Sequence, residues 1–124
     1  MKLHLTQAAG NQLITGYSLT SISVNHRRFE QSIIVLPSEV ITDWEVSKFD
    51  ALTTENFEGL LIIKPEVVLL GTGTQHRFIH PKLIASLTQA NIPVECMTTD
   101  AACRTYNILA SEGRKVFAAL LIEP

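Results

Sequence analysis

The residues whose types could do chemistry fall mainly in two stretches of the chain. The first is Gly71-Thr72-Gly73-Thr74, followed by His76, Arg77 and His80. A turn of this kind can present backbone N–H groups to an anion, and the histidines could serve in acid/base or anion-steering work. It is not a dinucleotide fingerprint, because His76 stands where the third glycine belongs. The next helix is expected only near Pro81, too far along for its N-terminus to hold a pyrophosphate. Backbone geometry alone is the competing reason for the glycines, and ordinary loop solvation is the competing reason for the histidines. His76 and His80 indicate no third metal ligand, so no metal site is read here.

The second stretch is Cys96 through Asn107. Thr98 and Thr99 precede a helical pattern, whose first amides carry unpaired donors and partial positive charge. Asp100 beside them can already answer that charge. Cys96 and Cys103 have six residues between them, a spacing of neither a redox pair nor a zinc site. Cys103, close to a helix start, would be reactive if exposed, and a small buried hydrophobe otherwise. Tyr106 is read as structural, and Arg104 and Asn107 as either site-lining or tying the helix to its neighbours. His26-Arg27-Arg28 makes a small cationic tip, expected to be a solvated turn or a protein-contact rim, and too small for nucleic acid.

The elements that must position these groups can be read from the pattern. Val67-Val68-Leu69-Leu70 is an unbroken apolar run ending at glycine, the signature of a strand buried on both faces. Before it, Leu3 to Leu5 and Leu13-Ile14 read as an irregular lead-in. Ser18 to Val24 and Phe29 to Leu36 read as extended runs joined at Asn25-His26, and Val40 to Val46 alternates as a half-buried strand would. Thr53 or Thr54 is expected to cap a helix bearing Phe57, Leu60 and Leu61, with Lys64 pushed to an extended conformation by Pro65. Pro81 opens a helix with Leu83, Ile84 and Leu87 inside and Asn91 as its left-handed end.

Ile92 to Met97 is a short strand that Pro93 places at a sheet edge. A helix bearing Ala102, Tyr106 and Leu109 follows, closed by Gly113, and Lys115 to Ile122 is the last strand. The order is an antiparallel front half, then strand–helix–strand–helix–strand. Crossover handedness puts the last three strands in one largely parallel layer with helices against it. The turns after Leu70 and Cys96 should therefore emerge at the same edge, where ligands of open α/β sheets usually sit.

Composition bounds the rest. A chain of 124 residues is read as one domain, 1–124, able to bury about two-thirds of its unfolded surface. Its hydrophobic content is 46% and its mean hydropathy is +0.20. Either the core is well filled or apolar surface waits for a partner, of which a symmetric dimer is the simplest. Net charge −2 and pI near 6.0 argue against nucleic acid. No apolar block suits a signal peptide or a membrane span, so a soluble cytoplasmic protein is expected, and not an integral membrane one.

Three segments together carry a resemblance: Pro65 to Gly73, Ile92 to Asn107, and Leu109 with Glu112-Gly113-Arg114 and the strand after it. With the hairpin ending near Leu36-Pro37 and the Trp44 strand, the chain resembles a small α/β domain family. That family contains mitochondrial NADH dehydrogenase (complex I) assembly factor 3, the adipogenesis-associated Mth-domain protein and many uncharacterised bacterial members. His26 departs from the glycine that would normally complete the hairpin turn. The resemblance implies a three-layer, Mth-domain-like α/β fold on a mixed sheet, with no established catalysis and no known cofactor. Its mitochondrial relatives help assemble respiratory complex I with other assembly proteins, and with no targeting segment read in the sequence this chain is expected to be a bacterial cytoplasmic member.

Two functions are therefore expected from the sequence. The first is a non-enzymatic interaction or assembly/accessory factor with protein partners. The alternative is a small-molecule or anion-binding protein, or an enzyme, using Gly71, Thr72, Gly73, Thr74, His76, Thr98, Thr99, Cys103 and Arg104.

Overall fold

Asn25-His26 is a two-residue hairpin turn with both residues left-handed, φ 49° and 68°. Such a turn matches the right-handed twist of its flanking strands. Asn25 adopts the conformation readily, and its side chain anchors the turn: its Oδ1 accepts from the Leu13 N–H at 3.0 Å. The His26 N–H donates to Thr15 Oγ1 at 3.0 Å, which fixes the residue that replaces glycine. The computed structural model describes residues 11–123. The expected lead-in at Leu3 to Leu5 lies outside them.

The turn joins β2 (Ile22–Val24) to β3 (Arg27–Phe29), and β1 (Ile14–Tyr17) pairs with β2, giving an antiparallel sheet in the order β1-β2-β3. Thus Ile14 is strand rather than lead-in, with a register irregularity between Ile14 and Gly16. The second sheet contains β4 (Ile33–Val35), β5 (Val40–Ile41), β6 (Val67–Gly71), β7 (Val94–Met97) and β8 (Val116–Leu120). Its order is β5-β4-β8-β6-β7, with β6 parallel to both β7 and β8 and β4 antiparallel to β5 and β8. β7 is an edge strand, as Pro93 requires.

Three helical segments cover this sheet: α1 (Glu55–Glu58), continued by a 3-10 turn over Gly59–Ile62; α2 (Ala85–Gln89), entered by a 3-10 turn over Pro81–Ile84; and α3 (Thr99–Ser111). The alternation along β6 separates two cores. Val67 and Leu69 face Ala102, Tyr106 and Ala110 of α3, together with Ile14, Ile22 and Val24 of the small sheet. Val68 and Leu70 face Phe57, Leu60 and Leu87, with Trp44 and Val46 beside them. The result is the expected three-layer α/β fold on a mixed sheet.

Local structure departs from expectation at further places. Only Ile22–Val24 of the Ser18–Val24 run is strand, and Leu19 is exposed. The Phe29–Leu36 run is divided between the two sheets, because polar Glu30-Gln31-Ser32 lets the chain cross over and Ser32 Oγ accepts from the Ile122 N–H at 3.0 Å. Only Val40–Ile41 of the Val40–Val46 segment is strand. Glu45 is left-handed, at φ 56°, so Trp44 and Val46 both reach the core from an irregular chain, and Trp44 Nε1 donates to the Asn56 carbonyl at 3.0 Å. Lys64 is left-handed rather than extended, at φ 53°, which also avoids the right-handed region that Pro65 forbids. Finally, the N-terminal N–H near α1 is capped by Asn56 rather than by a threonine side chain: its Oδ1 accepts from the Thr53 N–H at 2.7 Å. Asn91 at φ 63° and Gly113 at φ 81° are the left-handed residues expected after α2 and α3.

Candidate functional site: a cleft at the carboxyl edge of the sheet

The turns after β6 and β7 do emerge side by side. Leu70 is in register with Cys96 and Gly71 with Met97. The Thr72 N–H then donates to the Met97 carbonyl at 2.8 Å, and the Thr99 N–H to the Gly73 carbonyl at 2.9 Å. Beyond β8, the Leu121 N–H donates to the Gly71 carbonyl at 3.0 Å. Three strand ends are thus laced together at one point.

Thr99 is the knot. Its hydroxyl accepts from the Gly73 N–H at 2.8 Å and donates to the Leu121 carbonyl at 2.7 Å, so its proton is already committed. Thr72 is buried, and its hydroxyl bonds the Gln75 and Met97 carbonyls while accepting from the Arg77 N–H. Gly71 lets the helix approach: a Cβ there would lie 2.9 Å from Thr99 Cα, closer than van der Waals packing permits. Gly73 has φ 94°, a conformation that side chains rarely take.

Above this knot lies a cleft of about 400 Å³. Gly73, Thr74 and Thr99 line it, as the sequence led one to look for, and Asp100, Tyr17, Leu19 and Leu121 to Glu123 complete it. Tyr17 and Leu19 are missed by sequence reasoning because they come from the far side, at the end of the small sheet. Arg104 reaches the cleft indirectly: its Nη1 donates to the Tyr17 hydroxyl at 2.9 Å and holds that ring in place.

The other expected site residues lie elsewhere. His76 is exposed and rests against Phe78, ring centroids 4.6 Å apart, and it does not line the cleft. Arg77 lies over the Phe49 ring at 5.3 Å and 3.6 Å from the Asp50 carboxylate. Cys103 is fully buried among the core residues of α3, and burial pushes its thiol up to about 12, so it is the small apolar side chain weighed for it rather than a nucleophile. Cys96, half-buried on the edge strand, also has its thiol pushed up by burial.

The electrostatics of the cleft are acidic. The Thr98 side chain and the Ala101 N–H hold the Asp100 carboxyl below its ordinary range, so it is ionised at neutral pH. Glu123 also lines the cleft, and its Oε1 accepts from the Phe49 N–H at 2.8 Å. The start of α3 therefore meets a carboxylate of its own chain, and the cleft favours neutral or cationic groups over anions.

Comparison with known proteins adds kinship to this geometry. The chain is 33% identical to the NADH dehydrogenase [ubiquinone] 1 alpha subcomplex assembly factor 3 of Mus musculus over 113 residues, covering 90% of this chain and 60% of that protein. The Bos taurus counterpart is 34% identical over 113 residues, with 61% of its length covered. The chain thus spans about 60% of the length of these relatives. A crystal structure from Bordetella parapertussis superposes with a TM-score of 0.85 at 36% identity, covering 92% of this chain and 98% of the other. A Bordetella pertussis protein described as a Mth938-like domain superposes with a TM-score of 0.81 at 31% identity, covering 99% and 93%. The family described as "Protein of unknown function (DUF498/DUF598)" matches residues 14–121, which span both sheets and all three helices described above, and the chain belongs to that family.

Proposed function

We propose that the protein is a non-enzymatic interaction domain, an assembly or accessory factor for a membrane-associated respiratory complex. The observation that carries this reading is the 33–34% identity, over most of the chain, to proteins named for complex I assembly. The chemistry of the sheet edge supports it. The Thr72 and Thr99 hydroxyls are consumed by backbone bonds, Cys103 is sealed in the core, and His76 stands away from the cleft. No helix among the described residues is long and apolar enough to cross a membrane. The same reading makes the protein a bacterial, cytoplasmic member of the family, where its free cysteines stay reduced.

Affinity capture of the tagged chain from a mild-detergent extract of its own organism tests this. Enrichment of respiratory-complex subunits or their assembly partners is the expected result. Recovery of the chain alone, with and without prior cross-linking, would overturn it.

A second reading rests on the cleft itself, whose volume of about 400 Å³ falls in the range of small-molecule sites. A thermal-shift screen with nucleotides, carboxylates and amines, repeated on Thr74→Trp to fill the cleft, discriminates the two. Stabilisation that the variant abolishes would favour a ligand-binding protein, and a flat screen would remove that reading.

A further inference from the structure

The cleft at the sheet edge has two kinds of wall. One is apolar and open: Leu19 is 65% exposed and Tyr17 43% exposed, at the end of the small sheet, and Ile122 lines the cleft with them. The other carries Asp100 and Glu123, neither of which joins an ion pair among the described residues. No lysine, arginine or histidine lines the cleft among those residues. The nearby cation, Arg104, donates to the Tyr17 hydroxyl on the apolar wall and helps to lower the Asp100 carboxyl from outside the lining, without forming an ion pair with it. An exposed leucine and tyrosine beside two carboxylates is a surface that loses little by meeting a basic apolar segment and much by meeting an acidic one.

We infer that this cleft is the docking groove for a segment of a partner protein that places an apolar side chain between Leu19 and Ile122 and a lysine or arginine against Asp100 and Glu123. The inference rests on the interaction reading above and supplies the partner's chemistry. The competing occupants fit less well. A bilayer is flat and anionic at its surface, whereas the groove is concave and acidic. A second copy docked symmetrically through this same face would set Asp100 and Glu123 against their own counterparts.

A photo-cross-linking residue at position 19 tests the groove, with one at exposed Ile62, on the 3-10 turn after α1, as the control. Cross-linking is done in native extract, and the captured segment is sequenced by mass spectrometry. The expected adduct at position 19 carries Lys or Arg within a few residues of a large apolar side chain. Its yield should fall three- to tenfold with Asp100→Lys or with salt raised to screen the carboxylates, the variant's melting temperature showing that it remains folded. An acidic or uncharged captured segment, or a yield indifferent to both Asp100→Lys and salt, would overturn the groove. Partners captured at position 62 and not at 19 would also overturn it while leaving the interaction reading in place. No adduct from either position, together with recovery of the chain alone, would remove both.

Discussion

Asn107 of α3 pairs with the backbone of Ile14 as a neighbouring strand would. Its Oδ1 accepts from the Ile14 N–H at 2.8 Å, and its Nδ2 donates to the Ile14 carbonyl at 2.7 Å, across 93 residues of sequence. β1 is the edge of the small sheet, and a side-chain amide has the donor and acceptor needed to satisfy one residue of that edge. Tyr106, one residue earlier, adds a hydrogen bond of 2.6 Å from its hydroxyl to the Gln12 carbonyl. α3 thereby fixes where the small sheet sits, and so where Tyr17 and Leu19 stand over the cleft.

Replacing Asn107 by Ala would leave the Ile14 N–H and carbonyl without partners at a part-buried position. The expected cost is about 1–3 kcal/mol of unfolding free energy by chemical denaturation. Asn107→Asp keeps the acceptor and loses the donor, and should also be destabilised. If Asn107→Ala unfolds at the parent's midpoint, the side-chain bridge does not anchor the small sheet.

Thr99 offers a sharper comparison. Thr99→Val keeps the shape but strands the Gly73 N–H and the Leu121 carbonyl, so a loss of about 1–3 kcal/mol is expected. Thr99→Ser retains both bonds and should stay near the parent. Amide exchange at Gly73 should quicken in the valine variant and not in the serine one. A serine variant less stable than the valine one would show that the methyl group, not the hydroxyl, holds the strand ends.

The parts of this architecture that local chemistry controls could be read from the chain. Val67 to Leu70 is apolar at every position because both faces of β6 are covered, and Pro93 marks β7 as an edge because proline lacks the N–H that an inner strand must donate. The parallel placement of β6, β7 and β8 followed from crossover handedness, and with it the meeting of the Gly73 and Thr99 turns. Alternation misled at Val40 to Val46. A left-handed Glu45 lets Trp44 and Val46 reach the core without a strand, so the burial period is two where the backbone is irregular. The cleft was legible on one side only. Its far wall depends on how the small sheet docks on α3, a relationship written in Asn107 and Ile14, neither of which is distinctive in its own neighbourhood. That Thr72 and Thr99 are spent on backbone bonds is likewise a property of packing, since an exposed and a committed threonine look alike in sequence.

Gly71 should be the least replaceable residue of the edge. An added Cβ would meet Thr99 Cα and Oγ1 at 2.9 Å and Leu120 Cδ2 at 3.2 Å, and the first of these is backbone that cannot rotate away. Gly71→Ala should therefore cost about 1–3 kcal/mol and shift α3 from the sheet. Gly73→Ala acts differently, through strain at φ 94°, and should cost about 1 kcal/mol or more. Gly59→Ala, where an added Cβ meets nothing within 4 Å, is the control expected to be neutral or better. Destabilisation of the Gly59 variant as large as that of Gly71 would contradict the close-approach explanation.

Alkaline pH should loosen the same core that hides Cys103. Burial holds its thiol protonated, pushed up to about 12 from an ordinary 9.0, and burial likewise raises the Tyr106 hydroxyl above its ordinary 10.0. Both folded-state values are raised, so the folded chain keeps protons that the unfolded chain releases. The resulting stability is complete below pH 9 and is lost as pH rises from 9 towards 12. Unfolding free energy should be level between pH 7 and 8.5 and then decline. Cys103→Ala should start lower because of the small cavity, and should decline less steeply. At pH 8 burial keeps the Cys103 thiol protonated and out of reach, so iodoacetamide should modify half-buried Cys96 first in the native protein and both cysteines alike in denaturant. Parallel alkaline slopes for parent and Cys103→Ala, or prompt native modification of Cys103, would mean that the α3 face opens far more readily than its packing implies.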